Sequence, residues 1–171
     1  MRPFSSTTAF LAADSSGDAA DSPRDEAPER HSSPRLPSLT GLRILVVDDT
    51  PDACELVAAL LQRAGAIVQM AGSAAEARTC LVASVPNLII SDIGMPGEDG
   101  YTFLRKLRAS GDGQGPLANL CAVALTAYTR KEDRDEALAA GFQAHLTKPV
   151  DPRELFNTVV ALARPPGTAV R

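Results

Sequence analysis

The chain has 171 residues, 17 Lys and Arg against 21 Asp and Glu, and a formal net charge of −4. Aromatics make up 4% and no basic stripe is visible, which argues against direct nucleic-acid binding. No apolar run approaches the ~20 residues of a membrane-spanning helix, and "AFLAA" near the N-terminus is too short for a signal peptide's apolar core, so a cytoplasmic chain without membrane insertion is expected.

Residues 1–40 are rich in Ser, Pro, Asp and Glu and offer almost nothing to bury. Such a segment cannot offset its ordering entropy, so disorder is expected there. Residues 165–171 are expected to form a short flexible tail, which leaves 42–164 as the folded domain. Cys54, Cys80 and Cys121 lack metal-ligand spacing and read as small, buried apolar side chains. The two histidines, His31 and His145, are too few for a His-rich metal site.

From Leu42 onward strands and helices alternate. "LRILVVD" is a nearly continuous apolar run, as in a strand covered on both faces. A helix follows, with Thr50 as its cap, Pro51 in its first turn and Ala53, Leu56, Val57, Leu60, Leu61 and Ala64 at helical spacing. Gly65 ends it. "IVQMA" is the second strand, and Ser73 and Glu76 of "SAAE" form a capping box for the second helix. "NLIISD" is the third strand. "YTFLRKLRAS" is a helix with Phe103, Leu104 and Leu107 on one stripe. A glycine-rich loop, "GDGQGP", leads to the fourth strand, "CAVALT". "TRKE" is a second capping box, for a helix ending at Gly141. "AHLT" is the fifth strand, and Asp151, Pro152 and Glu154 start a last helix whose apolar face includes Leu155, Val159 and Leu162. Each alternation implies a right-handed crossover and a parallel sheet. Five units predict an α/β, flavodoxin-like three-layer sandwich with strand order 2-1-3-4-5 and five helices.

In such a sheet ligands bind beyond the carboxyl ends of the strands, where the order reverses. Strand one ends in Asp48 and Asp49, strand three in Asp92, strand four in Thr126, and strand five runs into Lys148. Singly, each is more readily a cap, a turn residue or a surface charge. Jointly, four of five strands deliver polar groups to one crevice. Like charges at 4 Å repel by up to ~4 kcal/mol at an effective dielectric of 20. Three carboxylates against one lysine leave a deficit near two charges, which an all-oxygen Mg²⁺ site would match. An ionised carboxylate beside Mg²⁺, a lysine and a hydroxyl suits phosphoryl transfer, with the centrally placed Asp92 as nucleophile.

"ILVVDD", "LIISDIGMPGEDG", "ALTA" and "HLTKPVD" resemble, in order and spacing, the receiver domain of two-component response regulators. The likeness covers 42–164 and is nearest to receivers fused to hybrid sensor histidine kinases. It implies that Asp92 accepts the phosphoryl group of a phosphohistidine, on a sensor histidine kinase or a histidine phosphotransfer protein. It implies that Asp49 ligates Mg²⁺ directly, Asp48 through water, and Gly94 through its backbone carbonyl. Lys148 is then the family lysine, followed by Pro149 through a cis bond, and Thr126 the switch hydroxyl with small Ala127 beside it. His145 stands where the family commonly has Tyr or Phe as the second switch residue, a departure. The resemblance implies a signalling module that catalyses its own phosphorylation and dephosphorylation, not an enzyme with an external product. The residues after the last helix are too few for a DNA-binding module, so output is expected through protein contact, phosphate shuttling or a partner chain.

Two other readings compete. A phosphate-independent, receiver-like interaction scaffold would not need the intact five-residue set. A haloacid-dehalogenase-type phosphatase also uses Asp, Thr, Lys and Mg²⁺, but its nucleophile motif is Asp-x-Asp, whereas Ile93 and Gly94 follow Asp92.

Overall fold

Ten elements alternate along the chain: β1 (Arg43–Val47), α1 (Pro51–Arg63), β2 (Ile67–Ala71), α2 (Ala74–Ala83), β3 (Leu88–Asp92), α3 (Gly100–Ala109), β4 (Cys121–Thr126), α4 (Lys131–Ala140), β5 (Ala144–Thr147) and α5 (Pro152–Ala163). They come from a computed structural model, which describes residues 37–110, 115–127 and 131–163. The strands form one parallel sheet in the order β2-β1-β3-β4-β5. This is the predicted order.

Period-two alternation splits the strands' side chains between two cores. Ile44, Val46, Ile90, Val123, Leu125 and Leu146 pack with Val57 and Leu61 of α1 and Leu155, Phe156 and Val159 of α5. Leu45, Val47, Ile89, Ala122 and Ala124 pack with residues of α2, α3 and α4, among them Ala77, Phe103, Leu104 and Ala137. The sheet is therefore the middle of three layers.

Several local readings need correction. The buried stripe of α1 is Cys54, Val57, Ala58 and Leu61, while Leu56 is 57% exposed. The predicted stripe included Leu56 because it too keeps helical spacing with Leu60. The helix is rotated so that small Ala58 and Cys54 face the sheet instead. Thr50 precedes α1 without a side-chain cap bond; its own N–H donates to Asp48 Oδ1 at 2.9 Å. The capping box at α2 is displaced by one residue. Ser73 Oγ accepts the Glu76 N–H at 3.2 Å, but the Glu76 carboxylate takes the N–H of Gly72 at 2.8 Å. Asp151 caps α5 by accepting the N–H groups of Arg153 and Glu154, and Phe156 joins Leu155 and Val159 in the core. Cys54 is buried as expected, whereas Cys80 and Cys121 are half-buried.

Composition places the segment expected to lack structure at residues 1–40. Leu39 lies inside that limit yet is 1% exposed and packs in the α1–α5 core. Its N–H donates to Ala64 O at 2.7 Å, and its carbonyl accepts the Leu42 N–H at 3.0 Å. A single apolar side chain with two backbone bonds is enough to seat the chain before β1. The same contact explains Gly65. Its φ of +94 is left-handed, and a Cβ there would lie 2.7 Å from Thr40 Oγ1. Residues 1–36, most of the "GDGQGP" loop, Thr129 and Arg130 of the "TRKE" box, and the tail 165–171 lie outside the described residues.

Arg108 ties α3 to its surroundings. Its guanidinium donates to the carbonyls of Leu117 and Ala118, both at 2.9 Å, and of Gly141 at 3.0 Å. Burial pushes the group below its ordinary value, and the carbonyls stand in for water. Replacing Arg108 with Met should remove this donor from the Leu117 and Ala118 carbonyls, while Gly141 O keeps Gln143 Nε2 at 3.0 Å, and should lower stability by about 1–3 kcal/mol. Urea unfolding measures this, and an unchanged midpoint would mean that water replaces the guanidinium without cost.

Candidate functional site

The site forms where β1, β3, β4 and β5 end. β1 stops at Val47, and Asp48 still donates its N–H to Ala71 O at 3.0 Å, extending the ladder by one bond. The Asp48 side chain is buried, at 1% residue exposure. One carboxylate oxygen takes the Thr50 N–H, and the other accepts from Lys148 Nζ at 2.7 Å. Asp49 is exposed. Asp92 ends β3 opposite Leu125 of β4 and is 6% exposed. Lys148 Nζ lies 3.2 Å from its Oδ1, so one ammonium joins both buried carboxylates. The Lys148 backbone N–H donates to Thr126 O at 2.8 Å, which fixes where the lysine leaves β5. The Lys148–Pro149 bond is cis, as expected.

Burial pushes the Asp92 carboxyl up, and the Lys148 charge opposes that only in part. The nearby Asp48 charge adds to the rise, while the Gly94 N–H, bonded to the Asp92 carboxylate, works against it. Burial alone would push the Lys148 ammonium down. Its hydrogen bond to Asp48 and the charges of Asp92 and Asp48 outweigh burial and raise it. One carboxylate oxygen from each of Asp48, Asp49 and Asp92 lies within 4.8 Å of the others. The donor set is all oxygen, and three carboxylates exceed the one lysine by two charges. These residues fit a hard divalent cation such as Mg²⁺.

Thr126 closes β4 and is 4% exposed. By strand alternation it faces the α2–α4 layer, together with His145 of β5. His145 is half-buried and pairs with Ala124, while Thr126 pairs with Thr147. Thr126 and His145 are thus diagonal neighbours on one face, with the small Ala124 between them. Leu146 points to the opposite core, as expected. The structure therefore joins Asp48, Asp92 and Lys148 directly, sets Asp49 beside them, and leaves His145 one rung away.

The loop from Ile93 to Asp99 carries Gly94. Gly94 borders the Asp92 carboxylate, since a Cβ there would lie 3.9 Å from Asp92 Oδ2. Gly100 closes the loop by donating to Ile93 O at 3.0 Å, and a Cβ on it would lie 2.4 Å from Asp92 O. Only glycine permits that approach. Sequence reasoning missed two residues here. Asp99 caps α3, accepting the Thr102 N–H at 2.6 Å; an aspartate just before a helical run was the available signal. Glu98 accepts two bonds from Arg78 of α2, at 2.7 and 2.6 Å, and pairs with Lys106 of α3 at 3.2 Å. No local pattern reveals that pairing, because its cations come from different helices.

Residues 44–160 match the response regulator receiver domain. A 14.6 kDa uncharacterized protein of Leptolyngbya boryana is 44% identical over 133 residues, which cover 77% of this chain and 98% of that protein. The response regulator Rre1 of Synechocystis is 43% identical over 115 residues, 67% of this chain and 48% of Rre1. Hybrid signal transduction histidine kinase D of Dictyostelium discoideum is 33% identical over 153 residues, covering 87% of this chain but 10% of the kinase. Among solved structures, the chemotaxis response regulator CheY4 of Vibrio cholerae superposes with a TM-score of 0.64 at 29% identity, over 71% of this chain and 98% of that one. Both kinds of relative, response regulators and hybrid kinases, are therefore represented. Among the described residues, no helix is long and apolar enough to cross a membrane.

Proposed function

The chain belongs to the response regulator receiver family, and from that membership we propose that it accepts a phosphoryl group on Asp92 and thereby switches a protein-binding surface. The observation that carries this reading is the single lysine held by two buried carboxylates, Asp48 and Asp92, at the sheet's reversal point. The donor class is a phosphohistidine on a sensor histidine kinase or a histidine phosphotransfer protein. An Asp92 oxygen bonds to phosphorus while the P–N bond breaks, and its electron pair stays on the imidazole nitrogen. Lys148 and Thr126 bind the phosphoryl oxygens as charge builds on them. Asp48, Asp49, Asp92 and the Gly94 carbonyl would hold Mg²⁺. Bound there, the ion supplies charge neutralisation at the phosphoryl group.

Receiver domains are signalling modules. On this reading the chain turns over its own phosphoryl group, passing it to water as inorganic phosphate with the Asp92 carboxylate restored, and its output is contact with a protein partner. We place the exchange in the cytoplasm, where free thiols such as Cys54, Cys80 and Cys121 persist. Full-length protein with MgCl₂ and acetyl phosphate should gain one phosphoryl group per chain by intact mass, and EDTA should prevent it. No gain with any phosphohistidine or acyl phosphate donor would leave the scaffold reading in its place.

His145 is the second switch residue in this proposal. When Thr126 moves toward the phosphoryl oxygens it vacates space over Ala124, and the His145 ring turns inward to fill it. Adding beryllofluoride, a phosphoryl mimic, should shift the His145 ring resonances together with those of Thr126. A shift at Thr126 with an unmoved His145 would make the histidine a bystander.

A further inference from the structure

We propose that Glu98 is a positioning residue for the metal pocket: gripped by Arg78 and Lys106, it holds the loop that presents Gly94 and so sets the affinity for Mg²⁺. This rests on the receiver reading above and adds a residue outside the acidic cluster.

The loop's ends are fixed by backbone bonds, Ile93 N–H to Leu125 O at 2.9 Å and Gly100 N–H to Ile93 O at 3.0 Å. Its interior is less constrained by its own chemistry. It contains Gly94 and Gly97, the latter at φ +80, and glycines cost the most backbone freedom to order. Buried Met95 anchors one side of that stretch. Glu98 anchors the other, with both oxygens engaged by the Arg78 guanidinium and a second cation added by Lys106. Arg78 is itself oriented, with its guanidinium 5.4 Å from the centre of the fully buried Phe103 ring. The clamp thus joins α2 and α3 across the loop. Its cations hold the Glu98 carboxyl down to about 2, so the clamp is intact at any physiological pH. A carbonyl on a loop already ordered loses less freedom when it meets a cation, which is preorganisation at the level of the ligand's support.

The test is calorimetric titration of the full chain with MgCl₂, for wild type, Glu98→Gln and Glu136→Gln. Glu136 pairs with Arg105 at 3.2 Å on the α3–α4 side and does not touch the loop, so it controls for the loss of an ion pair. Glu98→Gln should weaken Mg²⁺ by about threefold to tenfold, while Glu136→Gln should not. In acetyl phosphate labelling, the half-saturating Mg²⁺ concentration should rise by the same factor and the rate at saturating Mg²⁺ should stay at wild type. General damage to the fold would instead lower the saturated rate. Should Glu98→Gln fold poorly, Lys106→Met decides, since that side chain is 63% exposed and its loss removes one contact only. It should weaken Mg²⁺ in the same direction by less. Wild-type affinity in the folded variant overturns the clamp and leaves the receiver reading standing. A wild-type chain that neither binds Mg²⁺ nor takes a phosphoryl group overturns both.

Discussion

Asp92→Asn should lose phosphoryl labelling entirely while keeping its fold. Asparagine matches the aspartate in shape but offers no anionic oxygen to attack phosphorus. The fold should tolerate the change for an electrostatic reason. Burial already disfavours the ionised Asp92, so a neutral amide there removes a cost. Lys148 is not orphaned, because its shorter bond, 2.7 Å, goes to Asp48. The melting temperature should therefore equal or exceed that of wild type in the absence of Mg²⁺. Intact mass after incubation with acetyl phosphate and MgCl₂ reads the chemistry, and thermal melts read the fold. Labelling of the variant at the wild-type rate would move the acceptor to another side chain. Loss of labelling together with collapse of the fold would mean that the carboxylate is structural first.

Leu39→Ala should be the most damaging change before β1. The side chain is 1% exposed among Ala64, Ala66 and the α5 core residues, and deleting a buried leucine's outer atoms costs about 2–5 kcal/mol. A chain that begins at Ser38 keeps Leu39 and should melt within a few degrees of full length. The pair separates two effects that share a segment: composition argues that what precedes Ser38 contributes little, and packing argues that Leu39 contributes much. Equal urea midpoints for Leu39→Ala and wild type would remove Leu39 from the core.

The central strands β1, β3 and β4 were legible because a sheet covered on both faces leaves apolar runs, and the edge strands β2 and β5 because short apolar stretches sit between helix signals. "IVQMA", "CAVALT" and "AHLT" coincide with β2, β4 and β5, and β3 lacks only the Asn87 of "NLIISD". The strand ends then fixed the crevice, since order and direction leave one place for Asp48, Asp92 and Lys148 to meet. Helix rotation was less legible. Leu56 and Ala58 are both compatible with a helical stripe, and which one is buried depends on how α1 sits on the sheet. Leu39 was hidden by its neighbours, because composition averages over a window and one core side chain barely moves the average. The Glu98 clamp was hidden by distance along the chain, since Arg78 stands 20 residues before it.

The bond from Lys148 to Asp48 joins residues 100 positions apart. Closing so long a loop is entropically expensive, and topologies dominated by such contacts assemble late. The cluster of Asp48, Asp92 and Lys148 therefore closes only when the fifth strand docks and delivers its lysine. A chain emerging from the ribosome holds Asp48 and Asp92 long before it holds Lys148, and until then the acidic cluster lacks its cation. On the proposed reading, products truncated short of residue 148 should take no phosphoryl group, and α5, which follows the lysine, still has to add Leu155, Phe156 and Val159 to the core.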